Sequence, residues 1–203
     1  MRLDFLSEDT TIKPSEACFF DSNIGYFADF SRNGDVDGWT YYSNIYTYGC
    51  WNGFLFGTLA GKTGVIGRQQ VFMPVSCETN YFIKIVMKYN PVERIREQKL
   101  PTKSKIYWRT LSSTSWDENK SILFDLQADN KWHTYIINVG TAQYWQGSVN
   151  DLRLVIATDN GLDGDGFFIR QICIFSVQNF VCRNPSCNYF TQYQHNCPGV
   201  GAR

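Results

Sequence analysis

The chain has 203 residues, and its 19 basic and 19 acidic side chains give a formal net charge of zero. That balance supplies no bulk attraction to nucleic acid or to an anionic membrane, and the length admits one substantial domain with a real core. Aromatic residues reach 16% and charged residues only 19%, which excludes a disordered chain and suits a β-rich domain with wide packed surfaces.

Residues 1–16 read as an N-terminal arm. They lack the long apolar centre of a secretory signal, and the retained Met1 favours a route that uses none. No apolar run approaches the length of a membrane span. A single β-domain is expected over 17–176, beginning with strands at 18–21 and 26–30. An acidic turn follows, in which Gly34 and Gly38 permit tight bends and Trp39 can plug one end of a sandwich.

Next comes an aromatic segment, 39–51, which holds the best binding candidates: Tyr41, Tyr46, Tyr48 and Trp51. Flat aromatic faces stack on sugar rings while neighbouring Asn and Ser groups take the hydroxyls. Core packing is the first competing reading of these side chains, and a protein interface the second.

Alternation of period two then marks the strands. Tyr81, Ile83, Ile85, Met87 and Tyr89 share one face of a strand over 81–89, and Phe82, Lys84, Val86 and Lys88 share the other. Ile106, Trp108 and Thr110, then Ile122, Phe124 and Leu126, then Leu152, Leu154 and Ile156 repeat the pattern. Further strands are expected at 39–43, 53–59, 69–73, 132–139 and 167–175. About ten or eleven short strands, with turn signals between them and no helical stripe, imply an all-β, two-sheet antiparallel sandwich.

Residues 90–104 are charged and bracketed by Pro91 and Pro101. They are longer than a hairpin needs, so they read as a solvated loop or a single helical turn, with a partner-contacting arm as the alternative. In the loop 158–166, Asp159, Asp163 and Asp165 offer hard oxygen ligands that suit Ca²⁺, against the reading of an ordinary Asp/Gly turn.

Seven cysteines cannot all pair within one chain. Cys18, Cys50, Cys77 and Cys173 are widely spaced and read as buried small hydrophobes. A Cys-rich tail, 177–203, holds Cys182, Cys187, His195 and Cys197, whose three thiolates and one imidazole make a complete tetrahedral zinc set. Their spacing is not that of a standard finger, so free thiols or disulfides, intermolecular ones included, stand ahead of zinc.

No catalytic constellation emerges. Glu8, Glu16, Glu78, Glu93, Glu97 and Glu118 all fall in termini, turns or loops, and Asp125 stands without a partner in its strand. Glycoside hydrolysis needs two carboxylates facing one cleft. No nucleophile-elbow or zincin motif is present either, and an enzyme is not expected.

The stretch from Asp29 to Trp39 resembles the opening of carbohydrate-binding-module-like (galactose-binding-like) β-jelly-roll domains: an aromatic strand, an acidic Gly-bearing turn and a Gly-Trp pair. Residues 131–139, led by Trp132, resemble a strand that such domains commonly begin with tryptophan. Residues 145–154 resemble the turn and strand that follow, and 166–174 the final strand. The resemblance spans about 29–175 with an unmatched middle, and it implies the jelly roll. It departs at Arg170, where family members often carry an acidic residue that in some of them helps hold a structural calcium.

Two functions are in view. The first is a non-catalytic structural or adhesion subunit of a large assembly, most concretely a bacteriophage virion surface component (capsid decoration, fibre or tail-associated). Its partners would be other subunits, and it would form a homo-oligomer. The second is a carbohydrate-binding module or lectin that takes glycans on its surface aromatics. Both place the chain on a virion or extracellular surface, with neither nucleic acid nor membrane insertion.

Overall fold

The computed structural model describes residues 24–68, 75–79, 81–95 and 98–176. The N-terminal arm, the strands expected at 18–21 and 69–73, Cys18, and the tail with Cys182, Cys187, His195 and Cys197 lie outside the described residues. Within them the strands are β1 (Ile24–Ala28), β2 (Tyr41–Ser43), β3 (Ile45–Trp51), β4 (Phe54–Leu59), β5 (Val65–Arg68) and β6 (Val75–Ser76). They continue with β7 (Phe82–Asn90), β8 (Lys103–Thr110), β9 (Ser121–Asp125), β10 (Trp132–Asn138), β11 (Ser148–Val155) and β12 (Gly166–Phe175).

These strands build two antiparallel sheets. The first runs β10-β7-β12-β4-β3, with β1 also paired to β12; the second runs β2-β5-β11-β8-β9, with β6 paired to β11. The architecture is the expected all-β jelly-roll sandwich. The one helical element among the described residues is a 3₁₀ turn, Glu118–Lys120, capped by the Asp117 carboxylate, which accepts from the Asn119 N–H.

Alternation does the positioning. In β7 and β8 every second side chain is buried, so Ile83, Ile85, Met87 and Tyr89 face Ile106 and Trp108 across the core. Trp39, Phe30 and Phe167 are also among the largest fully buried side chains. Each such burial contributes roughly 1.5–3 kcal/mol. Cys50, Cys77 and Cys173 are buried free thiols, as expected of small hydrophobes. Burial lifts the Cys77 thiol to about 12 and the Cys173 thiol to about 11, which leaves both protonated and unreactive at neutral pH.

Three strands differ from expectation. β3 runs through the segment read above for its aromatics, while β5 and β6 are short and carry little alternation. In β3 a bulge between Ile45 and Tyr48 breaks the period of two that would have revealed it.

The opening loop is laced to β3. Phe30 and Asp37 both hold left-handed backbone, with φ of 53° and 48°, which is costly for a bulky residue such as phenylalanine. The Asp37 carboxylate compensates by accepting the N–H groups of Asp29 at 3.1 Å and Phe30 at 2.9 Å. The Cys50 thiol donates to the carbonyls of Phe30 and Arg32, and the Gly34 N–H donates to the Cys50 carbonyl. Trp39 plugs the sandwich as expected, with its indole N–H donating to the Tyr26 hydroxyl at 2.9 Å.

β12 carries a second bulge. Ile169 and Ile172 both point inward, and the register against β7 slips between Ile169 and Gln171. Arg170 and Gln171 therefore both lie on the outer face. β4 pairs with β12 before the bulge, from Gly166 to Ile169, and β1 pairs with it after, from Ile172 to Phe175.

Candidate functional site: an aromatic outer face

The outer face of the first sheet carries a transverse row set by register. Trp132 stands opposite Lys88, Lys88 opposite Phe168, Phe168 opposite Phe56, and Phe56 opposite Gly49. Phe54 and Trp51 form the next pair along β4 and β3. All the aromatic side chains in this set are partly or well exposed, and Trp51 keeps 56% of its surface in solvent. The outward phase of each strand, not its core phase, puts them there.

Ring contacts join the row. Phe54 meets Phe168 edge-on at 5.5 Å and Trp132 at 6.2 Å between centroids. β4 and β10 are three strand spacings apart, roughly 14 Å, so these two side chains lean toward each other over the strands between. Gly49 makes room at the other end: a Cβ there would sit 3.3 Å from the Phe56 ring. With no side chain on Gly49, Phe56 lies open beside a groove of about 500 Å³.

The groove runs between the opening loop and β3. Gly34, Val36 and Thr40 form one wall, with Tyr42, Tyr48 and Trp51 among the residues opposite. Tyr48 stacks on Tyr42 at 4.7 Å, and its hydroxyl donates to the Trp39 carbonyl at 2.5 Å. Burial, with Cys50, Tyr42 and Tyr26 adding to it, pushes the Tyr48 phenol well above its ordinary range. It therefore stays a neutral donor, and the lacing of loop to strand sets the groove's shape.

Of the four aromatics expected to bind, the structure brings together two. Tyr48 and Trp51 line the groove. Tyr41 belongs to the second sheet, where the Arg153 guanidinium lies 4.4 Å from its ring centre and 4.1 Å from that of Trp116. Tyr46 is 69% exposed on β3, outside the groove. Tyr42, Phe54, Phe56, Phe168 and Trp132 were missed as binding candidates. Their signal was available: each aromatic of β4 and β12 on this face alternates with an inward Leu55, Phe167 or Ile169.

Two cations share this face. The Lys88 ammonium lies 4.6 Å from the Phe168 ring centre and 5.7 Å from that of Trp132, and the Arg170 guanidinium lies 4.4 Å from Trp132. Burial, with the nearby charge of Arg170, holds the Lys88 ammonium below its ordinary value.

The loop 158–166 has a different role from the row. Asp165, fully buried, accepts both terminal nitrogens of Arg94 at 2.8 Å, the Tyr89 hydroxyl at 2.6 Å, and the N–H groups of Val92 and Leu162. Burial alone would raise its carboxyl, but the bonds from Arg94, Tyr89, Leu162 and Val92 outweigh that and hold it below the usual carboxylate range. Asp159 accepts from the N–H groups of Thr102 and Lys103 and the Thr102 hydroxyl, while Asp163 is exposed. The three aspartates expected to hold calcium are thus not brought together: among the described residues no three His, Cys, Asp or Glu side chains group as a metal cage. Asp165 and Asp159 instead tie down the two ends of the charged loop 90–104, a physical role that a spacing pattern does not reveal.

Glu8, Glu16 and Glu97 lie outside the described residues, and among the described residues the other carboxylates are engaged or solvated. Glu118 pairs with Lys105 and accepts the Tyr107 hydroxyl, Asp125 pairs with Lys103, and Glu78 and Glu93 are exposed. Among the described residues no helix is long and apolar enough to cross a membrane.

Neither a family model nor a curated protein matches the chain. Solved structures of similar topology include a family 29 carbohydrate-binding module, at 13% identity and a TM-score of 0.47, covering 87% of this chain and 97% of that one. A xylan-binding module of family 15 aligns at 18% identity and a TM-score of 0.43, covering 78% and 99%. An arabinose-bound α-L-arabinofuranosidase aligns at 10% identity and a TM-score of 0.48, over 71% of this chain and 24% of that one.

Proposed function

We propose that this chain is a non-catalytic carbohydrate-binding module that takes glycans on the outer face of its first sheet. One observation carries the reading: a contiguous set of solvent-reaching rings, Trp51, Phe54, Phe56, Phe168 and Trp132, beside an open groove. Rings that served only the core would point inward, and these occupy the outward phase. Flat apolar faces beside a groove suit the C–H faces of sugar rings, and the Thr40 hydroxyl in the groove wall suits their hydroxyls.

Trp51 is the residue to test. It is more than half exposed, so Trp51→Ala leaves stability within about 0.5 kcal/mol. It removes the widest free platform beside the groove, and about a tenfold loss of glycan affinity is expected, equivalent to ~1.4 kcal/mol. Affinity electrophoresis in soluble polysaccharides and a glycan array read this directly. Binding to many glycans that is unchanged in Trp51→Ala would move the site elsewhere, and binding to none would end the proposal.

A second reading keeps the chain as a subunit of a larger assembly such as a phage virion surface. Its support is the apolar exposure on the charged loop, where Ile95 is 75% and Leu100 41% exposed. Native mass measurement separates the two, because an assembly subunit forms oligomers that depend on Ile95 and Leu100.

A further inference from the structure

The six strands of the first sheet contain no aspartate or glutamate, yet they present Lys88 and Arg170 on the aromatic face. Elsewhere four cations are paired with carboxylates. Lys103 pairs with Asp125, Lys105 with Glu118, Arg109 with Asp151 and Arg94 with Asp165. In a molecule of zero net charge, four of the described cations are thus matched to carboxylates, and the strands of the aromatic face supply none.

Lys88 and Arg170 are the clearest case. Both lie against the Trp132 ring, and neither has a carboxylate partner among the described residues. Register places Lys88 between Trp132 and Phe168 in the row, and the bulge in β12 brings Arg170 to the same face. Two like charges held together over apolar rings repel each other, and partial burial weakens the solvation of both. Each is partly exposed, so a ligand in the row reaches it. The lowered proton affinity of Lys88 agrees with this geometry.

We infer that the face selects acidic glycans, with Lys88 and Arg170 binding a carboxylate or sulfate on a sugar whose ring stacks on Trp132 and Phe168. A planar guanidinium matches the two oxygens of either group, and the ammonium adds a point charge beside it. In the free protein the two cations rest on the ring faces. An anionic sugar draws them aside, forms charge-assisted hydrogen bonds and lays its C–H face on the uncovered rings. This inference rests on the carbohydrate reading and narrows it to a ligand class.

The test compares polygalacturonate, its carboxyl-reduced neutral form, a sulfated galactan and poly-glutamate by titration calorimetry. Wild-type protein is expected to bind an acidic polysaccharide at least tenfold more tightly than the neutral form, with affinity falling as NaCl rises. Preference for the uronate or for the sulfated polymer identifies the anion. Lys88→Gln and Arg170→Gln are each expected to bind the acidic and neutral polymers with equal affinity, at the melting temperature of the wild type. Equal binding of acidic and neutral polymers would overturn the inference and leave the carbohydrate reading standing. Binding of no polysaccharide would overturn both. Equal binding of poly-glutamate and the uronate would also overturn it, because charge alone, without sugar stacking, would then be recognised.

Discussion

Asp165 keeps its charge with no surface in contact with solvent, and the two nitrogens of Arg94 and the Tyr89 hydroxyl are what make that tolerable. Removing the carboxylate strands a largely buried guanidinium, so Asp165→Ala is expected to cost about 3–5 kcal/mol in denaturant unfolding. The pH dependence has a definite sign. The folded-state carboxyl is held below its unfolded value of about 3.9, so the unfolded chain takes up the proton first as pH falls. The stabilisation is fully present above that unfolded value and is lost as pH drops through the folded one. Urea midpoints measured from pH 6 down to pH 2.5 should fall in the wild type, and less steeply in Asp165→Asn. An equal slope in both proteins would show that other carboxylates set the acid limit.

Among the elements, β12 decides most. Its bulge marks where pairing with β4 ends and pairing with β1 begins, while β7 runs unbroken through Met87, Val86 and Ile85 on the other side. Arg170 is the extra residue. Deleting it leaves Ile169, Gln171 and Ile172 in plain alternation, with both isoleucines still inward. A deletion inside the central strand of a sandwich is ordinarily ruinous, but here it is expected to fold, with a single cooperative melting transition and no anion preference. Loss of cooperative unfolding would show that the bulge is needed for the handover between β4 and β1.

Strands of this kind were legible in advance wherever alternation was clean. β7, β8, β10 and β12 fell close to their expected bounds, because a strand with one face on a core must repeat every second residue. β3 was not, since its bulge disrupts the repeat. Of the candidate site, Tyr48 and Trp51 were legible as a dense aromatic run. The alternation of β4 and β12 marked Phe54, Phe56 and Phe168 as outward, but that they and Trp132 line up in one row follows only from the partner register. Arg170 stood out only as a departure from a pattern, and its partner Lys88 lies 82 positions before it in the chain.

At the scale of the molecule, zero net charge conceals an uneven distribution. One sheet has no carboxylate on its strands, while the other carries Asp125 and Asp151 next to the cations they pair with. Bulk electrostatics therefore predicts no attraction to a polyanion, and the aromatic face predicts a local one. The screening length of about 8 Å at physiological salt confines that attraction to groups near the face.

On the carbohydrate reading, the row from Trp132 to Gly49 also works as a ruler. It crosses five strands in the order β10, β7, β12, β4, β3, a span of roughly 19 Å at the usual strand spacing. Each sugar added to a linear chain advances it by about one such spacing, so the width of the sheet, counted in strands, limits the number of sugars that can touch it. Calorimetry with oligosaccharides of increasing length should show affinity climbing with each unit until the row is filled and then levelling. Affinity that is already maximal with a monosaccharide would mean that the protein reads one end of a glycan and not a length of it.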